Sequence, residues 1–186
     1  LAGKILDGAG NLTVNNLNGD ADADLSGVAT TGTNTINVAG NMTFTGKFVP
    51  KPFNLDGSGT LIMTSNGIQD GQKMTVQENN SFTADASLVN GKTIDGSGNI
   101  TINKLDDTAG AILANITNIG STTVNTAGAV TFTGTFPATA FTLDGDNIVT
   151  MNNNSISGTN TVTIASDNTI KATAARVTGK SIIGEG

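Results

Sequence analysis

The sequence contains no cysteine, histidine, tryptophan or tyrosine, and charged residues make up only 13% of its 186 residues. Without cysteine, a disulfide framework and thiolate metal sites are excluded. Without histidine, the chain lacks the side chain that most often serves as general base or transition-metal ligand. The formal net charge is −6 and no basic cluster is present, so nucleic acid is not an expected partner. No apolar run is long enough to predict a membrane span.

Threonine, asparagine and glycine are abundant, with 30, 23 and 24 copies. Apolar residues alternate with threonine or asparagine in short runs, for example at 35–38, 42–45 and 130–133. One face of such a run is aliphatic or aromatic and the other is polar, which is typical of a half-buried β-strand. The low charge and the clear period argue against a disordered chain. The composition therefore predicts an all-β protein.

The strongest feature is an internal repeat. Residues 1–88 match residues 89–176 without a gap, at 33 of 88 identical positions, and residues 177–186 begin a third copy. We therefore expect three domains or parts: β repeat unit 1, β repeat unit 2 and the start of a third unit. Arrays of equivalent units usually span distance or present a surface, and they seldom hold one catalytic centre. The chain is not expected to be an enzyme.

Each unit divides into two unequal halves, because an apolar-Asp-Gly phrase recurs with spacings of 49, 39 and 49 residues. Glycine tolerates positive φ, and aspartate caps a turn through its side chain, so each pair predicts a tight turn between strands. These carboxylates are interpreted as turn residues and not as catalytic groups. The four pairs are Asp7-Gly8, Asp56-Gly57, Asp95-Gly96 and Asp144-Gly145.

Two architectures fit an elongated all-β array with an 88-residue period and 49+39 halves. One is a β-solenoid and the other is a tandem β-sandwich. Glycine-rich turns and phenylalanines that recur in register favour stacked coils. The only candidate helix is 109–116, but its counterpart 21–28 carries aspartates and a glycine, so we expect loop or strand in both.

One segment suggests a metal site. Asp20, Asp22 and Asp24 alternate along the chain, a spacing that can place carboxylate oxygens around Ca²⁺. The loop lacks the glycine and the final glutamate of the usual calcium loop. The second unit replaces the three acids with Thr108, Gly110 and Ile112. The alternatives are a calcium site in the first unit and an acidic surface loop; no other cofactor is expected.

Two further patterns, the recurring lysines and the threonine pairs, each have a simple and a more specific interpretation. Lys4, Lys92 and Lys180 follow a glycine at the head of each copy, where a lysine can sit at a solvated strand end or form an isopeptide bond. Rows of threonine can order water against ice, provided that every coil contributes to the row. The sequence makes such pairs clear only at 43–45 and 131–133.

The threonine, asparagine and glycine alternation and the long gapless repeats resemble bacterial surface-layer proteins and giant repetitive adhesins. Residues 89–102, with Asp95-Gly96 followed by Asn99-Ile100, are similar to a segment of phage tail-fibre shafts, which are trimeric. The first resemblance implies a non-enzymatic structural repeat at the extracellular cell surface, serving as lattice, filament or adhesin stalk. Its partners would be neighbouring repeats or copies and cell-surface glycans. The second implies a virion component, and an ice- or glycan-binding solenoid is a third alternative.

Overall fold

The computed structural model describes residues 4–17 and 22–184, which form almost only β structure. The strands are β1 Leu6–Gly8, β2 Leu12–Val14, β3 Val28–Thr30, β4 Asn34–Val38, β5 Met42–Phe44, β6 Phe53–Gly57, β7 Thr60–Met63, β8 Lys73–Val76, β9 Ser81–Asp85, β10 Thr93–Gly96, β11 Asn99–Asn103, β12 Thr122–Asn125, β13 Val130–Phe132, β14 Phe141–Asp144, β15 Ile148–Met151, β16 Thr161–Ile164, β17 Thr169–Lys171 and β18 Ser181–Gly184. The helical turns are α1 Ala86–Val89, a 3₁₀ turn Leu105–Thr108 and α2 Ala174–Val177.

Every strand pair in the described part of the chain is parallel, and the strands join into four sheets. The sheet orders are β1-β3, β10-β8-β6-β4-β2, β18-β16-β14-β12-β11-β9-β7-β5 and β13-β15-β17. Paired residues are separated by 18 to 22 positions along the chain. The separation is 18 for Ser81 and Asn99 and 22 for Leu6 and Val28. The rest of each coil thus supplies the crossover that parallel pairing requires. The chain is a β-solenoid of about nine coils, which settles the choice against tandem sandwiches.

Each coil has three sides. Strand β4 is followed by β5 in another sheet and then by residues 47–49, after which β6 lies directly beside β4. The third side is held to the preceding coil by a parallel bridge between Asp24 and Lys47. The chain therefore winds around one continuous core.

The core follows from the predicted alternation of apolar and polar residues. In β4 the residues are alternately buried and half-buried, and the same pattern recurs in β6, β9 and β11. All seven phenylalanines are at most 3% exposed. Phe132, Phe136 and Phe141 come from the three sides of one coil, and their ring centroids are 4.4 and 4.9 Å apart in succession. Their counterparts in the first unit form the same trio, so phenylalanine fills the centre of one coil per unit.

The turns predicted at the Asp-Gly pairs are present, and they form corners that lead the chain from one sheet to the next. Their glycines have φ between +106° and +129°, where residues with a side chain are strained. At Gly57, Gly96 and Gly145 an added Cβ would also lie within 2.4 Å of a carbonyl oxygen of the preceding coil. Glycine is thus required both by the corner and by the spacing between coils.

The 88-residue repeat advances the chain by four coils and one additional side. Strands β2, β4, β6, β8 and β10 form the five-stranded sheet, whereas their counterparts β11, β12, β14, β16 and β18 belong to the eight-stranded sheet. That sheet begins with β5, β7 and β9 of the first unit, whose own counterparts β13, β15 and β17 form the three-stranded sheet. The 39-residue step from Asp56 to Asp95 spans two coils within one sheet, and each 49-residue step adds a side. Because of these unequal halves, the second unit is rotated about the long axis of the solenoid by one side relative to the first unit.

Helical turns occupy positions that the sequence analysis did not predict. Both α1 and α2 are single turns at equivalent positions near the ends of the two units. The segment 109–116 is not helical, as expected, and Ile112 forms a parallel bridge to Thr135. The 3₁₀ turn lies immediately before this segment.

Candidate functional site

The boundary between the two units is the first candidate site, because it shows how repeats of this kind join. We name residues 86–96 the first joint and residues 174–184 the second joint. Across the first boundary, β9 and β11 pair in parallel over five residues, and α1 itself crosses the boundary. Strand β10 pairs with β8 of the preceding coil. Backbone pairing therefore continues through the boundary without a linker.

The two joints have the same local geometry. The Lys92 amide donates to the Val89 carbonyl at 3.0 Å, and Lys180 donates to Val177 at 3.0 Å. The glycine after each helical turn has φ +71°. A Cβ at Gly96 would lie 2.0 Å from the Val76 oxygen, and the equivalent distance at Gly184 is 2.2 Å. The sequence repeat therefore fixes a structural repeat at this position, although the two joints lie on different sheets.

The recurring lysine makes different contacts in the two joints. Lys92 is 7% exposed, and its Nζ lies 2.6 Å from Oδ1 of the exposed Asp70. This hydrogen bond and the lysine charge hold the pKa of Asp70 below its ordinary value. In the second unit the position equivalent to Asp70 is Gly158, and Lys180 Nζ donates a hydrogen bond to the Gly158 carbonyl oxygen at 3.0 Å. Lys4 is exposed. The lysine thus fastens one coil to the next in both described joints.

We expect the substitution Asp70→Asn to lower stability at neutral pH but not in acid. Because the folded-state pKa of Asp70 lies below the unfolded value, its ion pair contributes fully above the unfolded pKa, about 3.9. That contribution is lost as pH falls through the lowered folded pKa. Urea unfolding of both proteins between about pH 2 and 7 measures the difference. A difference that stays constant down to the lowest pH would show that the charge of Asp70 is not its source.

The coil after the first joint covers it. Gly91 donates to the Ile112 carbonyl at 2.8 Å, and the Ile112 amide donates to Asn90 Oδ1 at 2.8 Å. Ile94 and Ile116 form a parallel bridge, and Ile94 is fully buried. In the second joint the equivalent Ile182 is only half-buried. A cavity of about 460 Å³ lies at this end of the described coils; it is lined by Ile164, Asn168, Thr169, Ile170, Ile182, Ile183 and Gly184.

The predicted calcium loop is only partly described. Asp20 lies outside the described residues. Asp22 is exposed, and Asp24 Oδ1 accepts hydrogen bonds from the Ser26 hydroxyl at 2.5 Å and the Ser26 amide at 2.9 Å. These bonds, together with the charge of Lys47, lower the pKa of Asp24. One oxygen of Asp24 therefore already caps a local turn, and calcium binding stays a prediction.

The carboxylates of three Asp-Gly pairs form hydrogen bonds within the fold. Asp56 and Asp144 each accept a hydrogen bond from the following glycine amide at 2.7 Å. Asp95 accepts the Thr75 hydroxyl at 2.7 Å and lies 2.5 Å from Lys73 Nζ. Their strands β6, β10 and β14 lie in two sheets, with β1 of Asp7 in a third, so the four pairs are not gathered into one cluster. Asp56, Asp95 and Asp144 therefore each have a hydrogen-bond partner within the fold.

A surface groove of about 710 Å³ lies on the first unit beside the five-stranded sheet. Its lining includes Asn11, Thr33, Lys51 and Lys73. The amine of Lys73 is engaged by Asp95, and residues 139 and 161 are threonines where the first unit has the two lysines. The charge of this groove is therefore not repeated in the second unit.

The register of the eight-stranded sheet creates a feature that the sequence analysis missed. One outward-facing residue of each strand falls into a single row across the coils, which we name the threonine row. Its members, in spatial order, are Thr43, Ile62, Thr83, Thr101, Thr123, Thr142, Thr163 and Ile183. The spacing along the chain changes at every coil, so the row becomes visible only when the strand register is known.

No helix within residues 4–17 and 22–184 is long and apolar enough to cross a membrane. Comparisons with protein-family models, with curated proteins and with solved structures found no match to this chain. The coils, the joints and the outer faces are therefore the basis for a functional conclusion.

Proposed function

We propose that the chain is a non-enzymatic structural segment of an extracellular surface protein, in which stacked units form a stiff stalk or filament. The observation that carries this proposal is the uninterrupted parallel pairing of β9 with β11 across the boundary between the units. A flexible linker would let neighbouring units move independently. A shared sheet and a shared core make the two units bend and unfold together.

The direction of the hydrogen bonds supports this role. In a solenoid the backbone hydrogen bonds between coils run along the long axis, and neighbouring strands are about 4.8 Å apart. Bending the rod must stretch these bonds on one side and compress the core on the other. The paired joints and the phenylalanine trio at the centre of each unit resist both motions. Neighbouring repeats are then the principal partners, and cell-surface glycans are partners for an adhesive role.

The trimeric phage-fibre shaft is the rival proposal. In such a shaft three chains share one core, whereas here one chain encloses its own core, with Phe44, Leu61, Ile102 and Leu143 among its buried residues. This arrangement favours the stalk proposal. It also predicts a monomer in solution.

Antibodies raised against the 186-residue protein provide a direct test. We expect them to label intact producing cells, and the isolated protein to have a monomeric mass by light scattering. Labelling that requires permeabilised cells would contradict the surface location. A trimeric mass together with labelled virus particles would instead establish the fibre shaft.

A further inference from the structure

We propose that the outer face of the eight-stranded sheet binds the ordered water of an ice surface. The threonine row contains five consecutive threonines, Thr83, Thr101, Thr123, Thr142 and Thr163, one from each successive coil. The row crosses the boundary between the units, although its strands come from different positions of the 88-residue repeat. This inference is independent of the proposed stalk role.

A second row of small residues, most of them polar, runs parallel to the first. Each of its members lies two positions before a member of the threonine row, either within the strand or just before its first residue. Because successive side chains of a strand point to opposite faces, the two rows face the same way. Two of its hydroxyls, those of Thr161 and Ser181, are 3.2 Å apart. When the register of the paired strands is continued by one or two residues, this row contains, in spatial order, Thr60, Ser81, Asn99, Ser121, Ala140, Thr161 and Ser181.

The two rows form a regular grid. Neighbouring coils place side chains about 4.8 Å apart along the axis, and residues two apart in a strand are about 6.7 Å apart across it. Oxygen atoms in the faces of hexagonal ice repeat at distances of this size in two directions. The hydroxyl groups of the grid can therefore occupy positions of a water lattice over the five coils with consecutive threonines, and the small contributions add.

The side chains of the grid are held in place before any ligand arrives. Threonine is branched at Cβ and has few allowed rotamers. Thr101 stands between the buried Ile100 and Ile102, which anchor its strand to the core. Because little side-chain freedom remains to be lost, ordering water on this face costs less than on a flexible surface.

Charge is absent from the two rows of the grid, but the next row of the same face carries Asp85 and Asp144. Neither row of the grid contains an ionisable residue. The corresponding row of the five-stranded sheet ends at Asp95, which is paired with Lys73, and that of the three-stranded sheet ends at Lys171. An ionised group loses solvation when it is pressed against an uncharged solid, so the uncharged grid suits an uncharged partner.

Crystalline polysaccharide is the other extended uncharged partner, and the aromatic residues favour ice over it. Flat apolar sugar faces are commonly held against exposed aromatic rings, which combine a large apolar surface with defined geometry. This chain has no tryptophan or tyrosine, and all seven phenylalanines are buried. Hydroxyl and methyl groups are what the grid offers, and they suit ordered water.

The substitution Thr123→Lys tests the proposal, because Thr123 is the middle threonine of the five. The matched control is Thr35→Lys, at an outward half-buried position between Thr13 and Asn54 in the five-stranded sheet. We expect the 186-residue protein to shape ice crystals and to lower their growth temperature below the melting point. Thr123→Lys should reduce this difference about tenfold or more, whereas Thr35→Lys should leave it unchanged.

Circular dichroism melting of all three proteins verifies that the fold is retained. The proposal is overturned if the folded unsubstituted protein has no effect on ice growth, or if both substitutions reduce it equally. Retention of the protein on insoluble cellulose or chitin, abolished only by Thr123→Lys and without any ice effect, would assign the face to polysaccharide instead. None of these outcomes alters the monomeric mass or cell-surface labelling that test the stalk.

Discussion

The substitution Gly96→Ala is expected to destabilise the protein by about 3 kcal/mol or more. Gly96 has φ +125°, and an added Cβ would lie 2.0 Å from the Val76 carbonyl oxygen of the preceding coil. The oxygen is a backbone atom and the backbone fixes the position of Cβ, so no side-chain rotation can relieve the clash. The coil would have to separate from its neighbour at the first joint. Urea unfolding followed by circular dichroism measures the loss.

Gly91→Ala is the matched control for this prediction. Gly91 lies in the same joint with φ +71°, but an added Cβ would meet no atom within 4 Å. Its substitution should cost about 1 kcal/mol, from backbone strain alone. If the two variants are equally stable, the close approach of the coils contributes nothing beyond the backbone conformation. A matching loss at Gly145→Ala, at the next Asp-Gly corner along the chain, where an added Cβ would lie 2.1 Å from the Thr126 carbonyl oxygen, would extend the result.

The substitution Phe136→Ala is expected to cost about 4 kcal/mol. Phe136 is fully buried, and its ring lies between those of Phe132 and Phe141 at the centre of one coil. Removing the ring leaves a cavity that the rigid coils above and below cannot fill. Hydrogen exchange should show the largest loss of protection in the coils on either side.

Two control variants separate the cavity from general effects. Phe136→Leu keeps most of the volume and should cost about 1.5 kcal/mol. Ile119→Ala removes an apolar side chain that is 83% exposed, and it should change stability by no more than about 0.5 kcal/mol. An equal loss for Phe136→Ala and Ile119→Ala would mean that the phenylalanine trio does not hold the core together.

Much of the fold could be predicted from local patterns. The alternation of apolar and polar residues at 35–38 and 42–45 predicts β4 and β5, because a half-buried strand needs one apolar face. The Asp-Gly pairs gave the corners, because the required positive φ is a local property of glycine. The choice between solenoid and sandwich depended on which strands pair, and pairing is set by contacts between distant residues.

One buried side-chain contact is visible in the sequence once the structure is known. Thr30 and Asn34 are buried and hydrogen-bonded to each other through their side chains. The equivalent positions carry the two residue types in exchanged order, and Asn118 Nδ2 donates to Thr122 Oγ1 at 3.3 Å. The exchange preserves a buried hydrogen bond, since an unpaired polar group there would be costly. Comparing the two copies position by position could therefore have indicated this contact.

The threonine row could not be predicted in the same way. Its members Thr83, Thr101 and Thr123 are 18 and 22 residues apart, because the turns between strands differ in length. A search for a fixed period misses such a row. The two α-helical turns were missed for a related reason: each is a single turn, too short to have a helical period in the sequence.

The additional side in each unit has a consequence for longer assemblies. If further units stacked as these two do, each would be turned by about a third of a circle relative to the one before, which is a screw operation along the rod. Three units would complete one circle over thirteen coils, a pitch of about 62 Å at the usual strand spacing. Any patch of a single unit would then recur on all three sides of the rod. Such a rod would present the same surfaces on all three of its sides, so partners could bind it from every direction.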